Sequence, residues 1–480
     1  MIIIFRRKTL TLGCKDPILM KNHFLLFLAV TALLATACKT KTTSHVLKTD
    51  VPVRPAGQEN VIGLRTEPLE TVRIGVVGLG MRGSDAVERL TYVPGVAITA
   101  LCDVVPERVA ESQETLAKRG LPAAKGYTGS EDAWTDICKQ EDLDLVYICT
   151  DWSHHVPVAL GAMENGKHAA VEVPAAGTLE DIWALVNTSE RTRKHCIMLE
   201  HCCYDFFEMA TLAMVQAGAL GEPIHAEGSY QHNLDPFWKA YWDNWRLKEN
   251  QKNRGDLYPT HGLGPVCQVM NIHRGDRMKT LVAMDTEPFN GAKMSEKLYG
   301  TPDASFAAGD QTSTLIRTEK GKTILVEHDV MTPRPYSRMY QIVGTDGYAA
   351  KYPVPILCFR EFEEGEVNAH TVGTERVYRN AAVDEILAKY PSPILTPELE
   401  ALAKEVGGHG GMDYIMDYRM VYCLRNGLPM DIDVYDLAEW CCITPLSRLS
   451  LENDSMPVEV PDFTRGAWDQ LKGFSYAFAE

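Results

Sequence analysis

The run TVRIGVVGLGMRGSDAVERL does most to limit what this chain can fold into. Its first half is apolar and β-branched, and its second half spaces apolar residues as a helix does. Between them lies Gly78-Leu79-Gly80-Met81-Arg82-Gly83. In a strand-to-helix turn of this kind Gly78 makes the tight turn and Gly80 lets a pyrophosphate approach the backbone. Gly83 permits close helix–strand packing. The positive end of the helix then faces the phosphates, with Met81 and Arg82 in the same loop. The next strand, VAITALCDV, ends at Asp103, about 20 residues after Gly83, where an acid binds ribose hydroxyls. That acid selects NAD over NADP, because a 2′-phosphate would meet like charge.

The alternation continues. PERVAESQETLAKRG reads as a helix with Pro106 in its first turn and Gly120 at its end. LDLVYICT, HAAVEVP and CIMLEH read as the third to fifth strands, separated by helical patterns. This predicts an α/β fold with a doubly wound parallel sheet, a Rossmann domain over residues 71–205. Ligands bind beyond the strand ends of such sheets. That brings in Trp152, Ser153, His154 and His155 after the third strand, and Glu172 and Val173 in the fourth. Trp152 suits the nicotinamide side, and His155 suits helix capping as well as catalysis. From about Gly221 the texture changes to PIHAEGSYQHN, STLIRTEKGKTILVEHDV and MYQIVGTDGYAAKY. These runs predict a C-terminal α/β domain, residues 206–480, on a largely antiparallel open sheet.

Residues 1–38 read as a secretory signal. Lys21 precedes FLLFLAVTALLATAC, an apolar run ending in small residues and too short for a comfortable membrane span. It resembles a bacterial lipoprotein box with Cys38 as the lipid-bearing residue, and Met1 and Met20 both stand as starts. Residues 39–70, rich in Thr, Lys, Pro and Gly, read as a tether. The expected location is the periplasm or outer membrane, with the membrane engaged only through the lipid. The net charge of −16 argues against nucleic acid as a partner. Of the 13 cysteines none forms a C-x-x-C pair or a Cys/His cluster at zinc spacing, so buried thiols are expected and no metal.

GVVGLGMRG, CDV and HVPVALGAMENGKHAAVEVP together resemble the Gfo/Idh/MocA superfamily of NAD(P)-dependent sugar enzymes. Most of its dehydrogenases carry Glu-Lys-Pro where this chain has Glu172-Val173-Pro174. Their Asp-x-x-x-His is also altered, with Leu257 at the Asp position before His261. AVEVPAA, LE-x-CCYDFFE with His201 at x, NWRLKENQKNRGDLYPTHGLGPV, TPRPYSR and GGHGGMDYIMDYR resemble glycoside hydrolase family 109 across residues 71–480. Two departures lie at the cofactor. That family usually shows Trp-Glu-Trp-His where this chain has Trp152-Ser153-His154-His155, and Asn where it has His201.

The resemblance implies an α-N-acetylgalactosaminidase-like enzyme that hydrolyses by transient oxidation at C3, elimination, water addition and reduction, with NAD regenerated each turn. It implies Tyr258 and His261 as the acid–base pair. Substrate contacts carry over to Tyr230, Arg246, Tyr258, Pro259, Thr260, His261 and Tyr336, with Tyr340 as an alternative to the last. A catalytic tyrosinate at Tyr258 would need positive charge from Arg246 and His261. The aromatic ring of Trp238, Tyr241, Trp242 and Trp245 around Arg246 suits a sugar. His409, set among glycines, fits a substrate pocket and a structural turn equally. The implied partner is a small glycoside or glycan, and a second copy of the chain stays open. An NAD-dependent sugar dehydrogenase and a non-catalytic sugar- or NAD-binding lipoprotein are the competing readings.

Overall fold

The computed structural model describes residues 45–300, 306–360 and 376–479. The expected signal segment and Cys38 lie outside the described residues.

Among the described residues six strands form the first sheet: β1 (Val72–Val77), β2 (Val96–Cys102), β3 (Lys125–Tyr127), β4 (Leu145–Ile148), β5 (His168–Val171) and β6 (Cys196–Met198). All pair in parallel, in the order β3-β2-β1-β4-β5-β6. The order reverses between β1 and β4, which opens a crevice beyond their C-terminal ends. The sheet carries one strand more than the sequence pattern suggests. β3 is three residues, Lys-Gly-Tyr, at the edge, with the first two exposed, so it shows neither alternation nor β-branching.

Among the described residues the second sheet has nine strands and is mostly antiparallel. They are β7 (Pro223–Gln231), β8 (Met278–Asp285), β9 (Thr312–Thr318), β10 (Thr323–Asp329), β11 (Gln341–Gly344), β12 (Gly347–Ala350), β13 (Ile356–Phe359), β14 (Arg376–Arg379) and β15 (Val458–Glu459). Their order is β14-β13-β12-β11-β7-β10-β9-β8-β15, and among the described residues only β7 and β10 of this sheet pair in parallel. The three long runs of the sequence become β7 and two hairpins, and β8, β13, β14 and β15 extend them.

One expectation is overturned at the N-terminal side. From Val46 the residues expected as a tether lie against the body. Leu47 bridges to Val458, and Val61, Ile62 and Leu64 are buried in the core. Arg54 pairs with Glu190 at 3.0 Å, and that buried carboxylate also accepts from Arg465 and Tyr435. Three apolar residues and one ion cluster in a polar stretch give no periodic signal.

The helix Thr260–Met270 is buried along its whole length and runs against β7. Gly262 and Gly228 make the contact. A Cβ on Gly228 would come within 2.2 Å of the Gly262 carbonyl oxygen, and one on Gly262 within 2.2 Å of the Ser229 nitrogen. Backbone therefore touches backbone, and Tyr230 of β7 and Tyr258, just before the helix, come to 4.4 Å between ring centroids.

Candidate active site

A cleft of about 220 Å³ opens at the strand ends of the first sheet, lined on that side by Gly78, Gly80, Met81, Arg82, Asp103 and His154. Gly78 has φ 85°, and a Cβ there would meet the Cys149 carbonyl at 2.6 Å. One on Gly83 would fall 1.8 Å from the Gly78 carbonyl oxygen. Above Gly80 the nearest atom is Arg108 Nη1 at 3.9 Å, so the approach to its backbone stays open. Asp103 is 6% exposed and accepts from Leu79 N at 2.7 Å and Val105 N at 2.9 Å. Oδ1 also accepts from Arg108 Nη1 at 3.4 Å, so Oδ2 is the oxygen that keeps a lone pair for a ribose hydroxyl. The donor set and the open backbone fit a dinucleotide.

The other expected cofactor residues divide. His154 lines the cleft and is held by Asp151, which caps the helix Trp152–Glu164. Ser153 is exposed beside it, and its hydroxyl is turned to Asp151. His155 does not face the cleft: it is 1% exposed, with its ring nitrogens on the Pro174 and Thr150 carbonyls at 2.9 and 3.1 Å. It ties two strand ends together, and burial lowers its pKa. Arg82 reaches away from the loop to Glu172 at 2.7 Å and Asp413 at 2.8 Å. Val173 is buried.

A second cluster adjoins this cleft through Trp152, whose ring is 5.1 Å from Trp245 and 6.1 Å from Tyr258. Tyr258, Tyr230 and His261 pack edge to face or tilted, within 5.4 Å of one another. The Arg246 guanidinium lies 4.5 Å over Tyr258 and 5.7 Å from Tyr230, and Nη1 donates to Tyr241 Oη at 2.7 Å. Among the described residues no carboxylate pairs with it. His261 Nδ1 is 2.7 Å from Glu200 Oε1, so Glu200 engages Nδ1 and leaves Nε2 without that contact. Burial alone would raise the Glu200 carboxyl, but His261 and nearby donors outweigh it, and its pKa falls below the ordinary value.

The tyrosinate expectation is corrected. Burial drives the Tyr258 pKa well above its usual value, and Arg246 offsets only part of that, so Tyr258 is a neutral acid here. Tyr230 is pushed up to about 12 for the same reason. The aromatic ring is corrected too. Trp238 is fully buried in the core, while Tyr241, Trp242 and Trp245 line the dinucleotide cleft. Tyr340 is excluded as a pocket group, since it is buried with its hydroxyl 2.6 Å from Thr211 Oγ1. Tyr336 is 40% exposed, its ring 5.1 Å from His232, which in turn bonds Tyr230 Oη at 2.9 Å. Pro259 and Thr260 are buried at the helix start.

His201 is buried, stacked on His409 at 4.3 Å and edge-on to His261 at 4.7 Å. His409 is itself exposed, its Nδ1 2.6 Å from Asp413. Single ligand atoms of His201, His409 and Asp413 lie within 4.8 Å of one another, but Arg82 already supplies the cation to Asp413. Glu200, Asp413 and His232 were not singled out from sequence. Glu200 follows a parallel strand, the signal that would have found it; Asp413 has no such local mark.

Asp256 is another unforeseen group. It is fully buried, Oδ1 accepts from Tyr258 N at 2.9 Å, and Oδ2 has no partner. Burial pushes its pKa up to about 7. The folded state thus keeps a proton that the unfolded chain releases near pH ~4. Its contribution to stability is full below that pH and is lost as pH rises through about 7, by roughly 4 kcal/mol. Asp256→Asn is expected to gain stability relative to the parent between pH 4.5 and 8 in urea titrations. Parallel curves would refute the assignment.

Residues 72–201 match the model of the oxidoreductase family with an NAD-binding Rossmann fold, and residues 204–470 that of the glycosyl hydrolase 109 C-terminal domain. The chain is 56% identical to glycosyl hydrolase family 109 protein 1 of Bacteroides fragilis, over 95% of this chain and 98% of that one. It is 58% identical to the protein of that name in Bacteroides thetaiotaomicron (92% and 96%) and 57% identical to the family 109 protein of Porphyromonas gingivalis (94% and 97%). Among solved structures, levoglucosan dehydrogenase in complex with NADH and L-sorbose superposes with a TM-score of 0.60 at 18% identity, over 82% of this chain and 100% of that one. Apo scyllo-inositol dehydrogenase from Lactobacillus casei gives 0.56 at 14%, over 82% and 99%. These two share the fold.

Proposed function

Because this chain belongs to glycoside hydrolase family 109, an enzyme family with NAD as its cofactor, we propose that it cleaves α-linked N-acetylgalactosaminides by oxidation, elimination, water addition and reduction. Bound NAD supplies the hydride acceptor at the start of that cycle and the donor at its end. Gly80 and the helix behind it would hold the pyrophosphate, and Asp103 would hold the ribose. Proton transfers fall to the chain's own residues. The observation that carries the reading is the Tyr258–His261–Glu200 cluster beside the cleft, together with buried Val173 where dehydrogenases of this fold carry lysine.

Tyr258 is a neutral acid whose hydroxyl has no protein partner among the described residues, so it can donate to a sugar oxygen. His261, oriented by Glu200 through Nδ1, offers Nε2 as its nitrogen for proton transfer. Arg246, caged by aromatic faces and free of a carboxylate, suits the carbonyl of an acetamido group. Tyr230 packs on Tyr258, and Tyr336 adjoins Tyr230 through His232.

The test is p-nitrophenyl α-N-acetylgalactosaminide with the NAD-loaded enzyme. Release of p-nitrophenol with no net growth of 340 nm absorbance is expected. Inertness toward a broad aryl-glycoside panel at confirmed cofactor occupancy would end the reading. Steady 340 nm growth with a free sugar and added NAD would assign a dehydrogenase.

A further inference from the structure

The segment that turns Tyr241, Trp242 and Trp245 toward the dinucleotide cleft does more than wall it. Trp242 lies at the ribose end. Its ring centre is 5.1 Å from the Arg108 guanidinium, and Arg108 Nη1 is 3.4 Å from Asp103 Oδ1. The indole nonetheless stays 58% exposed, so it lines the cleft with much of its ring surface open. The next two residues, Asp243 and Asn244, both take left-handed backbone, φ 49° and 51°. Two such non-glycine residues in succession cost energy, and strain of that kind gathers at ligand clamps. The neighbours on the inner side are anchored: Trp245 sits edge-on to Trp152, and Tyr241 accepts from Arg246. The segment is thus pinned on both sides of one outward indole, which stands over the cleft beyond the ribose carboxylate.

We propose that Trp242 is an adenine-binding residue, which with Arg108 covers the adenosine half of the bound dinucleotide and slows its release. A purine offers a π face to an indole and to a guanidinium, and neither contact depends on hydrogen-bond register. The position beyond Asp103 is where a base attached to that ribose lies. The proposal rests on NAD binding and is independent of which glycoside is cleaved.

The experiment needs no turnover. Parent, Trp242→Ala and Trp242→Phe proteins are loaded with NADH, and loss of bound-NADH fluorescence is followed after mixing with excess NAD. The same proteins are titrated with nicotinamide mononucleotide, which lacks adenosine. Trp242→Ala is expected to release NADH about tenfold faster or more, with Trp242→Phe close to the parent and mononucleotide affinity unchanged. An unchanged release rate in Trp242→Ala overturns the proposal. So does a loss of mononucleotide affinity in step with the dinucleotide, which would mean a deformed cleft rather than a missing adenine contact.

Discussion

His261→Ala is expected to lower kcat on an aryl N-acetylgalactosaminide by about 10²–10⁴-fold, the usual range for removing a positioned acid–base group, while NAD remains bound. Both halves follow from where the imidazole stands. It is held from behind by Glu200 at 2.7 Å and faces Tyr258 and Tyr230, on the substrate side of Trp152. Among the described residues its contacts run to Glu200, His201, Tyr230 and Tyr258 and not to the glycine loop or Asp103, so cofactor occupancy should not move. Tyr258→Phe should fall in the same range, because burial leaves Tyr258 a proton donor that phenylalanine cannot replace. If the two act on one proton-transfer sequence, the double variant should lose much less than the product of the single losses. Occupancy is read by mass spectrometry of released NAD, and rates by p-nitrophenol. A His261→Ala enzyme within threefold of the parent at full occupancy would remove the residue from the reaction.

What could be seen of this site before the fold was known divides along a physical line. The glycine loop and Asp103 are local: the constraint on Gly78, Gly80 and Gly83 arises within one turn, so the turn can be read from adjacent residues. Tyr258 and His261 became legible through resemblance, since YPTH by itself has no spacing that dictates chemistry. Glu200 and Asp413 were missed because each acquires its role only through packing. Glu200 reaches His261 across the boundary between the two sheets, and Asp413 meets Arg82 from a helix far along the chain. The aromatic run around Arg246 suits a sugar by composition, yet Tyr241, Trp242 and Trp245 line the cleft of the glycine loop. Composition told of apolar faces, but the left-handed turn at Asp243 and Asn244, which decides where Trp242 points, leaves no mark in the residue types. The segment from Val46 to Glu70 failed differently: a few buried side chains suffice to dock a polar stretch, and a periodicity argument does not register so few.

Gly262→Ala tests the seat of the whole acid–base cluster. The added Cβ would stand 2.2 Å from Ser229 N and 2.6 Å from Gly228 C, both backbone atoms of β7 that cannot rotate aside. The helix Thr260–Met270 must therefore withdraw from the strand. Overpacking of this kind typically costs about 1–3 kcal/mol, to be seen as a lowered melting temperature. The larger effect is on chemistry. Tyr258 and His261 ride on the start of that helix and Tyr230 on the strand, so any withdrawal widens the gap between them. A displacement near 1 Å is enough for about 10²-fold in rate. Gly228→Ala, whose Cβ would meet the Gly262 carbonyl oxygen at 2.2 Å, should give the same phenotype from the strand side. Gly177→Ala is the control, because nothing lies within 4 Å of its added Cβ. Retention of both melting temperature and kcat/KM within about twofold in Gly262→Ala would show that the glycine contact does not set the distance between the tyrosines.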